Sequence, residues 1–383
     1  MELTDYTYKF RLYPTPEQEI KLVKHFGCVR WCYNRFLDQR VKFYMTAKEQ
    51  DLKKKCLNYN DDAKILTETK KEFEWLNEVN SQSLQHALKH LDGSFNRFYK
   101  KLGGFPKFKK KHSKQSFRVP QHVKVENNKL YIVKFREGIA IKLHRPLEGE
   151  IRNATISRNK AGQYFVCIGV QKHIKKLKKT KKMVGIDLGV KDLATCSDGV
   201  VFPNINPYRT LEATRRIRAK ALSRTQKDSK GREKARLALA KLDNKIANIR
   251  SNHLHQISYQ IVNENQVIMM EDLNVSGMLK NRKLSKSIQD CSLSELVRQI
   301  AYKARWYKRE FIQISRWFPS SKTCGNCNYV NDGLTLKDRE WECPRCKKLH
   351  DRDLNAARNI LRQGKNLTVG NTELADCPGV RLA

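Results

Sequence analysis

Three carboxylates stand where acids could do chemistry together. Asp187 interrupts Met183-Val184-Gly185-Ile186-Asp187-Leu188-Gly189-Val190, where Val184 to Ile186 reads as a short buried strand. A carboxylate there is costly unless a cation or donor satisfies it. The flanking glycines leave room for a metal or phosphate to approach the backbone. Glu271 closes a second apolar strand, Gln266 to Met270, and Asp353 lies in the first turn of a helix opening at His350-Asp351-Arg352-Asp353-Leu354-Asn355. Taken singly, each acid could be a surface or capping carboxylate. Together, Asp187, Glu271 and Asp353 could hold two Mg²⁺ ions that clamp the attacking and leaving oxygens of a phosphodiester displacement. Mg²⁺ takes oxygen ligands and keeps waters, and Mn²⁺ suits the same donors almost as well.

Four cysteines form a second constellation. Cys324-Gly-Asn-Cys327 and Cys343-Pro-Arg-Cys346 are separated by fifteen residues. Paired CxxC knuckles present four thiolates to one Zn²⁺ and leave no position open, so the expected role is structural. The chain has 11 cysteines, so seven are scattered. Disulfides would need an oxidising compartment, whereas Met1-Glu2-Leu3-Thr4-Asp5 lacks the basic and apolar regions of a signal peptide.

Lys plus Arg number 77 and Asp plus Glu 39, a net formal charge of +38 over 383 residues. Such an excess points to a large polyanion, because each neutralised phosphate releases counterions. A membrane surface fits less well, since no apolar run approaches the roughly 18 residues of a spanning helix.

The elements that must position these residues follow from periodicity. Residues 6–13 alternate as a strand stopped by Pro14-Thr15-Pro16, and Thr15 can cap a helix running to about Phe26. Helical spacing dominates to about residue 101. Gly103-Gly104-Phe105-Pro106-Lys107-Phe108-Lys109 is a basic-aromatic turn, and Lys107 and Lys109 suit a nucleic-acid backbone. Strands are expected at Ser116 to Lys124, Lys129 to Val133, Ile139 to Leu143, Ile151 to Arg158 and Tyr164 to Gln171. With residues 6–13 they could make a barrel of about six strands. Asp192 to Phe202 reads as a strand, a Gly-containing turn and another strand after Asp187, as an RNase H-type sheet begins. Pro207 to Glu264 reads as two antiparallel helices broken at residues 226–231, with Arg215, Arg216 and Arg218 as a candidate rail for nucleic acid. A helix is expected over Ser292 to Phe311, a last strand at Ile312 to Ser315, and a loose polar tail at 366–383.

With these residues in hand, the chain resembles the transposon-encoded TnpB proteins, compact relatives of type V CRISPR effector nucleases. The resemblance rests on Phe10-Arg11-Leu12-Tyr13-Pro14, Tyr33-Asn34, Gly104 to Phe108, Gly185 to Gly189, Glu271-Asp272-Leu273, the cysteine quartet and Asp351 to Ala357. It implies an α+β multidomain protein. A helical recognition domain (16–101) is inserted in a wedge β-barrel (1–15 and 102–180). An RNase H-like RuvC domain follows (181–319, with a helical insertion at 207–264), then the zinc ribbon (320–349) and a RuvC helix (350–365). In the family's motifs the catalytic acids fall on Asp187, Glu271 and Asp353, leaving Asp351 to cap the helix or orient a ligand. The resemblance further implies a cytoplasmic bacterial or archaeal protein, a monomer on its guide RNA, that cuts double-stranded target DNA. Contacts to a target-adjacent motif would come from Tyr59, the Ser81 to Gln85 helix start and the Gln121-His122 strand. Two other functions use the same residues. An RNA-loaded DNA-binding regulator would tolerate Asp187→Ala, and a protein-guided transposase would cut without RNA.

Overall fold

The computed structural model describes residues 3–51, 56–112, 114–335 and 338–373. It divides into two units, Met1–His173 and Ile174–Ala383.

The first unit opens with β1 (Leu3–Tyr13), whose alternation buries Tyr8, Phe10 and Leu12. Thr15 then forms a capping box with Gln18, and Pro16 begins α1 (Pro16–Glu49). The expected end near Phe26 is overrun by 23 residues, 49 against 26. The reason is a continuous apolar stripe, Leu22, Phe26, Val29, Tyr33, Phe36 and Leu37, which keeps the helix seated past Gly27. After it come α2 (Tyr59–Glu72) and α3 (Ser81–Tyr99). Buried Arg40 of α1 binds the three helices together, reaching Asp62 of α2 at 2.6 Å and Asp92 of α3 at 3.1 Å.

The strands β2 (Gln115–Val119), β3 (Lys124–Glu126), β4 (Lys129–Ile132), β5 (Phe135–Lys142), β6 (Glu150–Arg158) and β7 (Tyr164–His173) complete the unit. They correct the expected barrel. With β1 they form an open seven-stranded sheet, ordered β2-β6-β7-β1-β5-β4-β3. Closure would require β2 to pair with β3, and among the described residues it does not. The helices make closure unnecessary: Phe10, Phe117 and Val166 share one core with Leu22, Phe36 and Leu88, so the apolar sheet face is buried by α1 and α3. The expected strand through Gln121-His122 is also broken. Pro120 lacks a ladder N–H, and His122 has φ +58°, so residues 120–123 bend between β2 and β3.

The second unit is built on β8 (Met183–Asp187), β9 (Asp192–Cys196) and β10 (Val201–Pro203). Two long helices follow, α4 (Pro207–Ser223) and α5 (Lys230–Glu264), then β11 (Val267–Glu271). Asp290 fixes the start of α4, accepting from the amides of Tyr208 and Arg209 and from Arg250 of α5 at 2.9 Å. Next come α6 (Val275–Met278), α7 (Ser285–Cys291), α8 (Leu293–Tyr307) and β12 (Glu310–Ile314). Helix α8 stops short of Phe311 because Lys308 turns left-handed at φ +56°. Arg309 then donates to the Val262 and Asn263 carbonyls at the end of α5. The hairpin β13 (Glu340–Glu342) and β14 (Leu349–Asp351) runs directly into α9 (Arg352–Glu373). Helix α9 continues past the tail boundary expected at 366, since no proline interrupts before Pro378. Residues 374–383 of that tail lie outside the described residues.

The five-stranded sheet has the order β10-β9-β8-β11-β12. β9 runs antiparallel to β8, while β8, β11 and β12 are mutually parallel. Alternation divides the sheet faces. Val184, Ile186, Ile268 and Met270 pack with Leu254, Ile261 and Ile300 of α5 and α8. Val267 and Met269 pack on the other face with Ile360 of α9.

Candidate metal centres and nucleic-acid interface

The register of β8 against β11 pairs Met183 with Val267 and Ile186 with Met270. One step further, Asp187 and Glu271 stand side by side at the carboxyl ends of adjacent parallel strands. That end is where open α/β sheets place their ligands. By the same period-two alternation both carboxylates face the side covered by α9. Two glycines let the helix come close. A Cβ on Gly185 would overlap the Ala357 carbonyl and the Leu361 amide, and one on Gly364 would overlap Met269. The space at Gly185, read in the sequence as room for a metal or phosphate, is therefore filled by α9 itself. This approach brings Asp353, in the first turn of α9, to the two strand acids. Asp351 caps the helix, its Oδ1 accepting from the Leu354 amide at 2.8 Å.

The electrostatics of the three acids register their proximity. Burial pushes the Asp187 carboxyl up to about 7, with further lifts from Glu271 and then Asp353 against the pull of Arg352. Burial raises Glu271 as well, opposed by a hydrogen bond from the Ser320 hydroxyl to its Oε1. Asp353 is held by two arginines: Arg339 donates to Oδ2 at 2.9 Å and Arg352 to Oδ1 at 3.1 Å. Clustered acids whose mutual repulsion favours protonation form a donor set that a divalent cation relieves. Their oxygens are not drawn as tightly together as the cysteine sulfurs. Among the described residues, only the four cysteines form a group of three or more potential ligands lying within 4.8 Å of one another.

Cys324, Cys327, Cys343 and Cys346 are that group. The sulfurs of Cys324 and Cys346 lie 3.6 Å apart, and those of Cys327 and Cys343 lie 3.5 Å apart. A Zn–S bond of about 2.3 Å puts tetrahedral sulfurs about 3.8 Å apart, whereas a disulfide needs about 2.05 Å. The spacing fits zinc. The two knuckles are built alike. The amide of Cys324 meets the Tyr329 carbonyl and that of Cys343 meets the Lys348 carbonyl, with Asn328 and Lys347 each at φ +60°. His350 Nε2 lies 3.1 Å from the Cys324 sulfur, where an imidazole N–H supports a thiolate ligand.

Residues not singled out from the sequence as site residues tie the ribbon to the acids. Asn355 Nδ2 donates to the Thr323 carbonyl, and its Oδ1 accepts from the Gly325 amide. Asn359 Nδ2 reaches the Ser320 and Thr323 carbonyls, and Arg362 the Gly325 carbonyl. Their signal was available: 355, 359 and 362 follow helical spacing on one face. Ser320 and Arg339 carry no comparable pattern, because strand and loop neighbours set their positions.

The nucleic-acid candidates separate into groups. In the first unit, Asn34 clamps the Lys109 backbone with hydrogen bonds of 2.8 and 2.9 Å, and Lys109 Nζ sits 3.8 Å from the Tyr33 ring centre. Burial holds this lysine down to about 8. Burial, Arg118, His90, Lys89 and Lys109 together depress His86 to about 4. Lys107 is exposed. Tyr59 lies beneath Lys89, Ser81 accepts from Lys70 at 2.9 Å, and Gln82 of α3 donates to Gln121 at 2.8 Å. Ser81 and Gln85 line a shared groove with Lys70 and Asn77, while His122 is exposed on its bend. In the second unit, Arg215 and Arg218 are engaged within the α4–α5 hairpin, at Asp243 (2.7 Å) and the Ala238 carbonyl (2.8 Å). Of the three rail arginines only Arg216 is fully turned to solvent.

No helix among the described residues is long and apolar enough to cross a membrane. Family models match residues 165–282 ("Probable transposase", OrfB of IS605-type elements) and 294–360 ("Cas12f1-like, TNB domain"). A third, described as a helix-turn-helix domain, matches residues 1–49, of which the described ones include β1 and the unbroken α1. A relative from Streptomyces pristinaespiralis, named "Putative RNA-guided DNA endonuclease", is 39% identical over 95% of this chain and 90% of its own length. InsQ of Escherichia coli (strain K12), with the same description, is 30% identical over 93% of this chain and 92% of its own. The protein chain of a Cas12f1–sgRNA–target DNA complex shares the fold at a TM-score of 0.50 and 14% identity, over 94% of this chain and 98% of that one. On these sequence relationships, the chain belongs to the OrfB/TnpB family of transposon-encoded proteins.

Proposed function

We propose that the protein is an RNA-guided DNA endonuclease that hydrolyses phosphodiesters at Asp187, Glu271 and Asp353. The observation that carries the reading is the convergence of these acids, from two parallel strand ends and a helix start, in a chain whose full-length relatives are described as such nucleases. In this reading the second unit is an RNase H-like RuvC domain with a zinc ribbon. The helices and open sheet of the first unit are the recognition and wedge parts. Target choice follows guide pairing, and the protein contributes charge and a short adjacent motif, for which Tyr59, Ser81, Gln85, Gln121 and His122 are candidates. Its place of action is the cytoplasm.

Asp187, Glu271 and Asp353 would hold Mg²⁺ or Mn²⁺, which when bound supplies Lewis-acid stabilisation and an activated water for in-line attack at phosphorus. The protein's own groups have separable parts. Asp187, lifted furthest, sets the pH below which the site keeps a proton. The Ser320 hydroxyl fixes the rotamer of Glu271. Arg352 and Arg339 balance Asp353. The charge of +38 favours engagement of RNA and DNA together.

The test is to express the protein with the DNA that follows its gene, sequence the nucleic acid that copurifies, and assay matching DNA with Mg²⁺. A discrete RNA and Mg²⁺-dependent cuts lost in Asp187→Ala support the reading. Cleavage without RNA would assign a protein-guided enzyme instead, and function surviving Asp187→Ala would assign a binding regulator.

A further inference from the structure

The loop from Ser315 to Ser320 leads out of β12 and rims the acid cluster. It is tied twice to the end of β11: Arg316 pairs with Asp272, the residue after Glu271, and Ser320 donates to Glu271 itself. Between these ties, Phe318 turns inward against the core beside Met269 and Ile314. Trp317 does the opposite. It is 86% exposed, more than any other large apolar side chain among the described residues. No aromatic or cationic group among the described residues covers its ring. An indole gains much from burial, and this one stands bare on a loop whose neighbours hold it at the rim of the acids.

We propose that Trp317 is a stacking platform for an unpaired base of the DNA strand whose phosphate enters the acid cluster; this rests on the nuclease reading above. The chemistry selects the occupant. The loop is anchored to the strand that carries Glu271, so a strand held at the acids passes its bases over this rim. An aromatic face grips any base without reading its edge, which suits an enzyme whose sequence choice lies elsewhere. Only an unstacked base offers its face, so the platform favours single-stranded over duplex DNA. Lys322, whose Nζ donates to the Asp332 carbonyl, adds positive charge at the end of this loop.

The experiment uses the protein with whatever RNA it retains, carrying Asp187→Ala so that substrate survives. A single-stranded oligonucleotide containing 5-iododeoxyuridine is photo-crosslinked and the adduct mapped; trypsin releases Trp317 to Lys322 as one peptide. DNA attached to Trp317 is the expected result. Adducts only on other peptides, or RNA rather than DNA on this one, overturn the proposal. This readout needs no cleavage, so a failed nuclease reading leaves it decisive. In the cleaving enzyme, Trp317→Ala should raise KM about tenfold, the lower part of the range for one lost base stack, and Trp317→Phe should restore it to within about threefold. An unchanged KM in Trp317→Ala, or equal losses in both variants, would overturn it as well.

Discussion

The second unit holds two candidate cation sites of opposite design. The cysteine site draws four sulfurs from one local stretch, 324 to 346, all within 4.8 Å of one another. The carboxylate site takes three ligands from positions 187, 271 and 353, so strand register and helix packing must assemble it. The thiolate site gains from rigidity, because a closed shell contributes directly to folding. On the proposed reading the carboxylate site needs space for substrate oxygens, and without a cation its acids repel one another. On the proposed reading, the difference teaches that ligand separation along the chain tracks the role of the ion: local ligands build structure, and distant ligands collected at a strand end are free to do chemistry.

The sharpest way to break this contrast is to remove one ligand from each site. Asp187→Ala should lower cleavage at least about 10³-fold while zinc content stays close to the parent. Cys343→Ser should lose zinc and the ribbon's cooperative melting, measured by metal analysis and calorimetry. If Cys343→Ser kept a folded ribbon without zinc, the structural assignment would fail.

A subtler break leaves every ligand in place. Gly185→Ala puts a methyl where the Ala357 carbonyl lies, so α9 must lift and carry Asp353 away. Cleavage should fall about 10²-fold with zinc retained, since angstrom-scale misplacement has that effect. Wild-type kinetics in Gly185→Ala would show that α9 can adjust without moving Asp353.

The pH dependence of metal binding sharpens the contrast further. Asp187 ionises at about 7, so below that pH a proton competes with the divalent cation. Mn²⁺ affinity, read by electron paramagnetic resonance, should fall about tenfold per pH unit below 7 and level off above it. The sign for stability runs the other way in metal-free protein. A carboxylate raised above its unfolded value near 4 favours the folded state least above pH 7, so the melting temperature should drop between pH 4 and 7. Asp187→Asn should remove that drop.

The smallest effect concerns the link between the sites. Arg339 precedes the ribbon strand β13 and pairs with Asp353 at 2.9 Å, with both side chains partly exposed. Arg339→Gln should raise Mn²⁺ affinity of the metal-free protein about two- to fivefold, the worth of one exposed ion pair. Unchanged affinity would mean that Arg339 yields freely to a cation.

Much of this was legible in the sequence because it is local. The cysteine spacing, the Thr15 cap and the strand carrying Asp187 each declare themselves within a few residues. The open sheet of the first unit was not, because whether strands close on themselves depends on what covers them, and α1 and α3 do so from elsewhere in the chain. The reach of α1 was underestimated for the same reason: tertiary burial, not a local signal, keeps it helical beyond Gly27. The hairpin contacts of Arg215 and Arg218 were not legible either, because a sequence cannot show that Asp243 and the Ala238 carbonyl lie across from them.

Helix α9 has a further consequence, for how freely the chain can vary. Its Ala357, Leu361 and Gly364 side rests on the sheet, its asparagine side carries the ribbon, and between Arg352 and Gly364 only Arg358 is exposed. A saturation scan across this segment should find almost every position intolerant, with Arg358 as the one permissive gap. For anyone shortening or dividing the protein, these thirteen residues, 352 to 364, are the part to leave untouched.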